Sequence, residues 1–206
     1  MKNINAIIFD LGGVFLNISY QKTINEFTKL GIENSASFYS KESQNSIFNL
    51  LEIGEISEQD FISEIKTKCD SASASEIRFA WNAMLLDFPK EGIRLLKSLK
   101  KRHSIFLLSN TNTIHIKQFK NILGINQYNK FFNLFNHVYY SHEMGLRKPN
   151  KEAFQIILEE NRLTAKNVLF IDDSKQHINA AKRIGIRTHH LLDNESITAL
   201  FPDITL

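Results

Sequence analysis

Three apolar runs, each cut off by polar residues, constrain this chain more than any other feature. Ile7-Ile8-Phe9 runs into Asp10, Ile105-Phe106-Leu107-Leu108 into Ser109-Asn110, and Val168-Leu169-Phe170-Ile171 into Asp172-Asp173. Short continuous apolar runs suit strands buried on both faces of a parallel sheet, and open α/β sheets bind ligands at the carboxyl ends of their strands. The three ends should therefore converge. A fourth stretch, Gly145-Leu146-Arg147-Lys148-Pro149, should bring Lys148 to the same place from a loop. A nucleophilic carboxylate, a hydroxyl, a lysine and a paired carboxylate make a site for metal-assisted phosphoryl transfer.

Between these runs the pattern alternates. Strands are expected over 5–9, 105–109, 137–141, 168–172 and 187–191. Helices are expected near 89–101, through Ile116, Phe119 and Leu123, after Pro149 with Phe154, Ile157 and Leu158 inward, and over 178–184. Strand–helix alternation at this spacing argues a doubly wound parallel sheet, a Rossmann-like α/β core. Residues 16–88 read differently, as amphipathic helices without a buried strand. Ile24, Phe27 and Leu30 form one stripe, Ile47, Leu50 and Leu51 a second, and Phe61, Ile62 and Ile65 a third. Ser57 with Asp60 resembles a helix-capping pair, and Ser73 or Ser75 could cap the next helix, which would bury Ile77, Trp81 and Leu85. The expected organisation is a catalytic core of 1–15 and 89–206 with a helical cap, 16–88, inserted into it. The crossings near Leu16 and Phe88 are the candidate hinges.

Taken singly, each site residue has an ordinary structural explanation. An Asp at a strand end is often a helix cap, Ser109-Asn110 an ordinary turn, and Lys148 a solvated surface group. Their joint occurrence reverses this. Asp10 is the expected nucleophile, since a carboxylate can accept a phosphoryl group and split one hard displacement into two easier ones. Asp172 and Asp173 supply the hard oxygen ligands that Mg²⁺ takes. Two carboxylates ~4 Å apart repel by ~4 kcal/mol at an effective dielectric of ~20, so the arrangement calls for a divalent cation. Ser109 and the backbone N–H of Asn110 should hold the transferred phosphoryl, and Lys148 should offset its charge.

Composition excludes several other classes. The 206 residues carry a net charge of +3, and their Lys and Arg residues are dispersed. The densest basic group, 97–102, reads as a solvated helix end, so no nucleic-acid partner is expected. No apolar stretch reaches the ~18 residues of a membrane-spanning helix. Cys69 is the single cysteine, and no cleavable signal pattern stands at the start; both fit the cytoplasm. The histidines show no metal-ligand spacing, and His189-His190 is expected at a strand end away from the site. Arg147 reads as structural or peripheral, and Trp81 as helical core rather than a substrate platform.

The four motifs resemble, in order, spacing and strand-end context, those of the haloacid dehalogenase superfamily. The likeness spans nearly the whole chain. The form Asp10-Leu11-Gly12-Gly13-Val14, the stretch Glu52-Ile53-Gly54-Glu55-Ile56-Ser57, and the forms of the second and third motifs are most similar to the α-D-glucose-1-phosphate phosphatase branch. The resemblance implies a Mg²⁺-dependent phosphatase of small phosphorylated metabolites, sugar phosphates among them, working through an aspartyl-phosphate on Asp10. It further implies that Asp10, the backbone carbonyl of Gly12 and Asp173 hold the metal, Asp173 more directly than Asp172. Two departures stand out. Gly12 occupies the place where most such phosphatases carry a second Asp as general acid and base, help typically worth ~10²–10⁴ in rate. His177 stands where an Asp or Asn usually supports the metal. A 2-haloacid dehalogenase shares the nucleophile and also lacks the second Asp, but it needs no metal and no acidic pair. A non-catalytic binding protein on the same fold is the third reading.

Overall fold

The apolar runs form the middle of one parallel sheet. The computed structural model describes residues 3–39, 46–69 and 71–202. Strands β1 (Ala6–Phe9), β2 (Ser104–Ser109), β3 (His137–Tyr140), β4 (Val168–Asp172) and β5 (Arg187–His190) lie in the order β3-β2-β1-β4-β5. Every neighbouring pair is parallel. Phe9 is level with Leu107 on one side and Ile171 on the other, so Asp10, Ser109 and Asp172 leave the sheet at the same edge. The chain builds outward through β2 and β3, then returns to add β4 and β5 on the far side of β1. That reversal next to β1 is where doubly wound sheets open a crevice. Strand β5 carries no apolar run because it is a half-exposed edge.

Between β1 and β2 come α1 (Tyr20–Lys29), α2 (Ser35–Phe38), α3 (Ser46–Glu52), α4 (Glu58–Lys66) and α5 (Ala74–Asn82), which form a helical insert, and then α6 (Lys90–Leu99). The rest of the chain adds α7 (Thr113–Leu123), α8 (Ile125–Phe132), α9 (Ser141–Met144), α10 (Lys151–Glu160) and α11 (Lys175–Arg183). Two insert helices start at reciprocal caps. Ser57 Oγ accepts the Asp60 N–H while the Ser57 N–H donates to Asp60 Oδ2, and Ser73 does the same with Glu76. Of the two serines proposed for α5, Ser73 is the cap. That helix stops at Asn82, and Leu85 instead lies in an antiparallel bridge with Ile18.

The buried face of α3 is Phe48, Leu51 and Glu52; Ile47 and Leu50 are half-buried. Phe48 meets Phe27, Phe38, Tyr39, Phe61 and Trp81, so this aromatic cluster sets the rotation of the helix. Trp81 is completely buried there and is core. One apolar cluster runs from Ile7, Phe9 and Leu107 on one sheet face through Phe15 and Phe88 into the insert. A second, of Ile8, Phe106, Phe154 and Phe170 among others, covers the opposite face.

The two crossings between sheet and insert are joined to each other. The Asn17 N–H donates to the Asp87 carbonyl, Leu86 N–H to the Asn17 carbonyl, and Ser19 N–H to the Met84 carbonyl, each at 2.9 Å. Asn17 Nδ2 also donates to Asp87 Oδ1 at 3.0 Å. Among the described residues no helix is long and apolar enough to cross a membrane.

Candidate active site

A buried lysine stands at the centre of the strand ends. Lys148 is fully buried, with Nζ 2.6 Å from Asp10 Oδ1 and 2.8 Å from Asp172 Oδ2. Burial alone would lower its pKa, but Asp10 and Asp172 outweigh it and keep the ammonium protonated. Its loop is fixed by the side chain of Asn110. Asn110 Nδ2 donates to the Lys148 carbonyl at 2.9 Å, and the Lys148 N–H donates to Asn110 Oδ1 at 2.9 Å. The Asn110 side chain is thus spent on placing the lysine. Asn112, two residues on, caps α7 by accepting from the Ile114 and His115 N–H groups.

Asp172 is engaged on both oxygens. It accepts the Ser174 N–H at 2.7 Å and lies 3.0 Å from His177 Nδ1 as well as bonding Lys148. Burial pushes its pKa up, yet Lys148 and His177 pull it well below the ordinary carboxylate range. His177, the unusual residue of the fourth motif, therefore orients Asp172. Asp10 behaves in the opposite way. Burial, with Asp172 and Asp173 nearby, raises it to about 7 against the pull of Lys148.

Oxygens of Asp10, Asp172 and Asp173 all lie within 4.8 Å of one another. Three carboxylates around one ammonium leave excess negative charge, and the donor set is hard oxygen throughout. Both properties suit a divalent cation of the Mg²⁺ type. Gly13 permits the approach of Asp173: at φ +70° it has a backbone that favours glycine, and a Cβ there would lie 2.6 Å from the Asp173 carboxylate. Gly12 has no such φ. A Cβ on it would lie 3.3 Å from Ile18 Cδ1, a tight contact that a side chain at this position could make only if Ile18 gave way by a few tenths of an ångström.

These groups surround a cavity of about 90 Å³ lined by Asp10, Gly12, Ser109, Asn110, Lys148 and Asp173, with Tyr20, Tyr39 and Glu52 of the insert opposite. Asp172 is behind Lys148 and does not reach the cavity. Arg147 also lines it, so of the structural or peripheral roles read from sequence it is the structural one that fits. Its guanidinium pairs with Glu52 at 3.0 Å and donates to Asn49, tying the lysine loop to α3. Glu52 was legible as a carboxylate four residues after Phe48, on the same face as Leu51. His115 also faces the cavity; burial lowers its pKa to about 3, and its neutral ring stacks on Trp81 at 4.6 Å. The sequence placed His190 away from the site, but its Nε2 lies 3.1 Å from the Asp173 carbonyl. The register between β5 and β4, which sets His190 level with Asp172, brings it there.

A parallel sheet that closes on three carboxylates and a buried lysine defines an enzyme of the group-transfer and hydrolytic class. The chain belongs to the haloacid dehalogenase-like hydrolases, whose family model matches residues 4–185. Among characterised relatives, the D-ribitol-5-phosphate phosphatase of Bacteroides thetaiotaomicron is 26% identical over 186 residues, 90% of each chain. A crystal structure of a haloacid dehalogenase family enzyme from the same organism, a variant in complex with magnesium and inorganic phosphate, is 31% identical with a TM-score of 0.88, covering 96% of this chain and 98% of that one. A predicted hydrolase of the family from Porphyromonas gingivalis is 26% identical with a TM-score of 0.84, covering 97% of both chains.

Proposed function

We propose that this protein is a Mg²⁺-dependent phosphatase of small phosphorylated metabolites, sugar or polyol phosphates, with Asp10 as the phosphoryl acceptor. The observation that carries this reading is Lys148, buried between Asp10 and Asp172 with Asp173 alongside. Asp10, Asp173 and the Gly12 carbonyl would hold the metal, which supplies charge stabilisation to the phosphoryl oxygens. Asp172 acts mainly through Lys148, keeping its ammonium charged and pointed at Asp10. In the first step the Asp10 carboxylate attacks phosphorus and the ester oxygen leaves; in the second, water cleaves the acyl phosphate and frees Asp10. Ser109 and the Asn110 N–H would bind the phosphoryl oxygens throughout; both residues line the cavity. The insert, 16–88, serves as a cap over this site, facing it with Tyr20, Tyr39 and Glu52.

Gly12 leaves the leaving group without the usual acid. An anomeric sugar phosphate would need little help, but the Bacteroides relative is named for an ester at a primary carbon of a polyol. The support therefore favours small hydroxylated esters in general, with the proton coming from elsewhere than residue 12. A 2-haloacid dehalogenase is disfavoured by the Asp172-Asp173 pair. Phosphate release should require Mg²⁺ and stop in EDTA, and Asp10→Asn should retain less than about a hundredth of the activity. Release of halide from a 2-haloacid in EDTA would instead establish dehalogenase chemistry.

A further inference from the structure

Among the described residues, Arg147 and Glu52 are the charged groups of the cavity wall that the phosphoryl chemistry does not use. Both are mostly buried, at 18% and 7% side-chain exposure, and the 3.0 Å pair joins the residue before Lys148 to the last residue of α3. Arginine beside a phosphate site would ordinarily attract a second anion, because its planar fork matches carboxylate and phosphate. Here Glu52 cancels that charge. Hydrogen bonding is less complete. Arg147 Nε and Thr111 Oγ1 are buried, and neither has a partner among the described residues. Buried polar groups are rarely left in this state, and both residues line the cavity. These two atoms have almost no accessible surface, so what a tail meets on this wall is the rest of the partly exposed guanidinium, which donates to a hydroxyl without any added charge. The cavity is small, about 90 Å³, and opens to solvent.

We infer that the Arg147–Glu52 pair selects the substrate's tail, accepting phosphate esters with a short, uncharged, hydroxylated tail and rejecting those with a second anionic group. This rests on the phosphatase reading. Glu52 is the discriminating half, since a carboxylate tail would compete with it for Arg147 and be repelled by it. Arg147, whose side chain keeps 18% exposure, is the half that meets the hydroxyls.

Glycerol 3-phosphate and 3-phosphoglycerate form a matched pair that differs in a hydroxymethyl against a carboxylate. Each protein is read by the ratio of its kcat/KM values for the two esters with Mg²⁺ present, so a loss common to all esters cancels. The wild type should favour glycerol 3-phosphate by about tenfold or more, and Glu52→Gln should lower that ratio about 10–100-fold, mainly through KM for the acid. Adding Arg147→Met to Glu52→Gln should remove the gain on the acid, because the exposed cation is then gone. Circular dichroism would verify that each variant is folded. A ratio within twofold of wild type in Glu52→Gln overturns the inference and makes the pair a structural tie. A wild type that handles both esters equally overturns it too. Failure of the wild type to hydrolyse even 4-nitrophenyl phosphate with Mg²⁺ would instead remove the phosphatase reading beneath it.

Discussion

Lys148→Met should be among the most disruptive single changes this protein can carry, and its cost should depend on pH. The ammonium sits 2.6 Å from Asp10 and 2.8 Å from Asp172 with no solvent exposure. At an effective dielectric of ~20, each attraction is worth roughly 6 kcal/mol before the cost of desolvating the groups is counted. Measured losses on breaking buried pairs are smaller, about 3–5 kcal/mol, because much of that attraction only offsets desolvation. The variant should therefore lose about 3–5 kcal/mol in urea denaturation of EDTA-treated protein at pH 8. Asp10 then sets the pH dependence. Its folded pKa is already raised to about 7 with Lys148 present, and the substitution raises it further. A group whose folded pKa is raised favours the folded state when protonated, and that contribution is lost as pH rises through the folded value. The deficit of Lys148→Met should accordingly shrink as pH falls from 8 to 5. Asp172 loses the larger of the two charges that hold it low, leaving only His177 against its burial, so its own rise adds to the same trend. Asp10→Asn in the Lys148→Met background should recover roughly half the loss at pH 8 by removing one of the two stranded carboxylates. A deficit under 1 kcal/mol, or one equal at pH 5 and pH 8, would refute the account of Lys148 as the electrostatic centre of the site.

Two further substitutions test the turn after β1. Gly13→Ala puts a methyl into the Asp173 carboxylate at a positive φ, so the Mg²⁺ requirement should rise about 10–100-fold, read as the Mg²⁺ concentration at half-maximal activity; an unchanged requirement would remove Asp173 from the metal site. Gly12→Asp should do little for alkyl phosphates alone, because Ile18 Cδ1 crowds the new side chain. Combined with Ile18→Val, which deletes that methyl, it should raise kcat on glycerol 3-phosphate by about tenfold or more, within the range general acid–base help supplies. Equal gains from single and double variants would show that Ile18 is not the obstacle.

The parts of the site that could be read from sequence are those carried by buried strands. Apolar runs flanked by polar residues have few alternative uses, so β1, β2 and β4, and with them Asp10, Ser109 and Asp172, were legible within a residue. Strand β5 was legible as an element, but its register was not, so the approach of His190 to Asp173 was missed. Helix α8 gave no capping side chain to mark its start after Gly124 and went unrecognised. The insert's helices showed their amphipathic stripes, yet the inward face of α3 was misplaced by one residue because the partners of Phe48 are aromatic rings from other helices. Arg147 was set aside for a related reason. Its partner Glu52 lies 95 positions away in sequence, and only the docking of α3 against the lysine loop reveals the pair.

Chain segments that cross side by side, hydrogen-bonded to each other, can twist and bend together but cannot slide past one another without breaking those bonds. The segments around Asn17 and Asp87 are joined in this way. Any displacement of the helices they carry would therefore be a swing about this crossing, like a door on one pin. Tyr20 stands immediately beyond that pin and Glu52 further along the insert, so one such swing would carry both toward or away from the strand ends. In the proposed capped enzyme, entry to the cavity and assembly of its outer wall would then be one event, and Leu16, Ile18, Met84 and Leu85 of the crossings, which line the cavity, would move least.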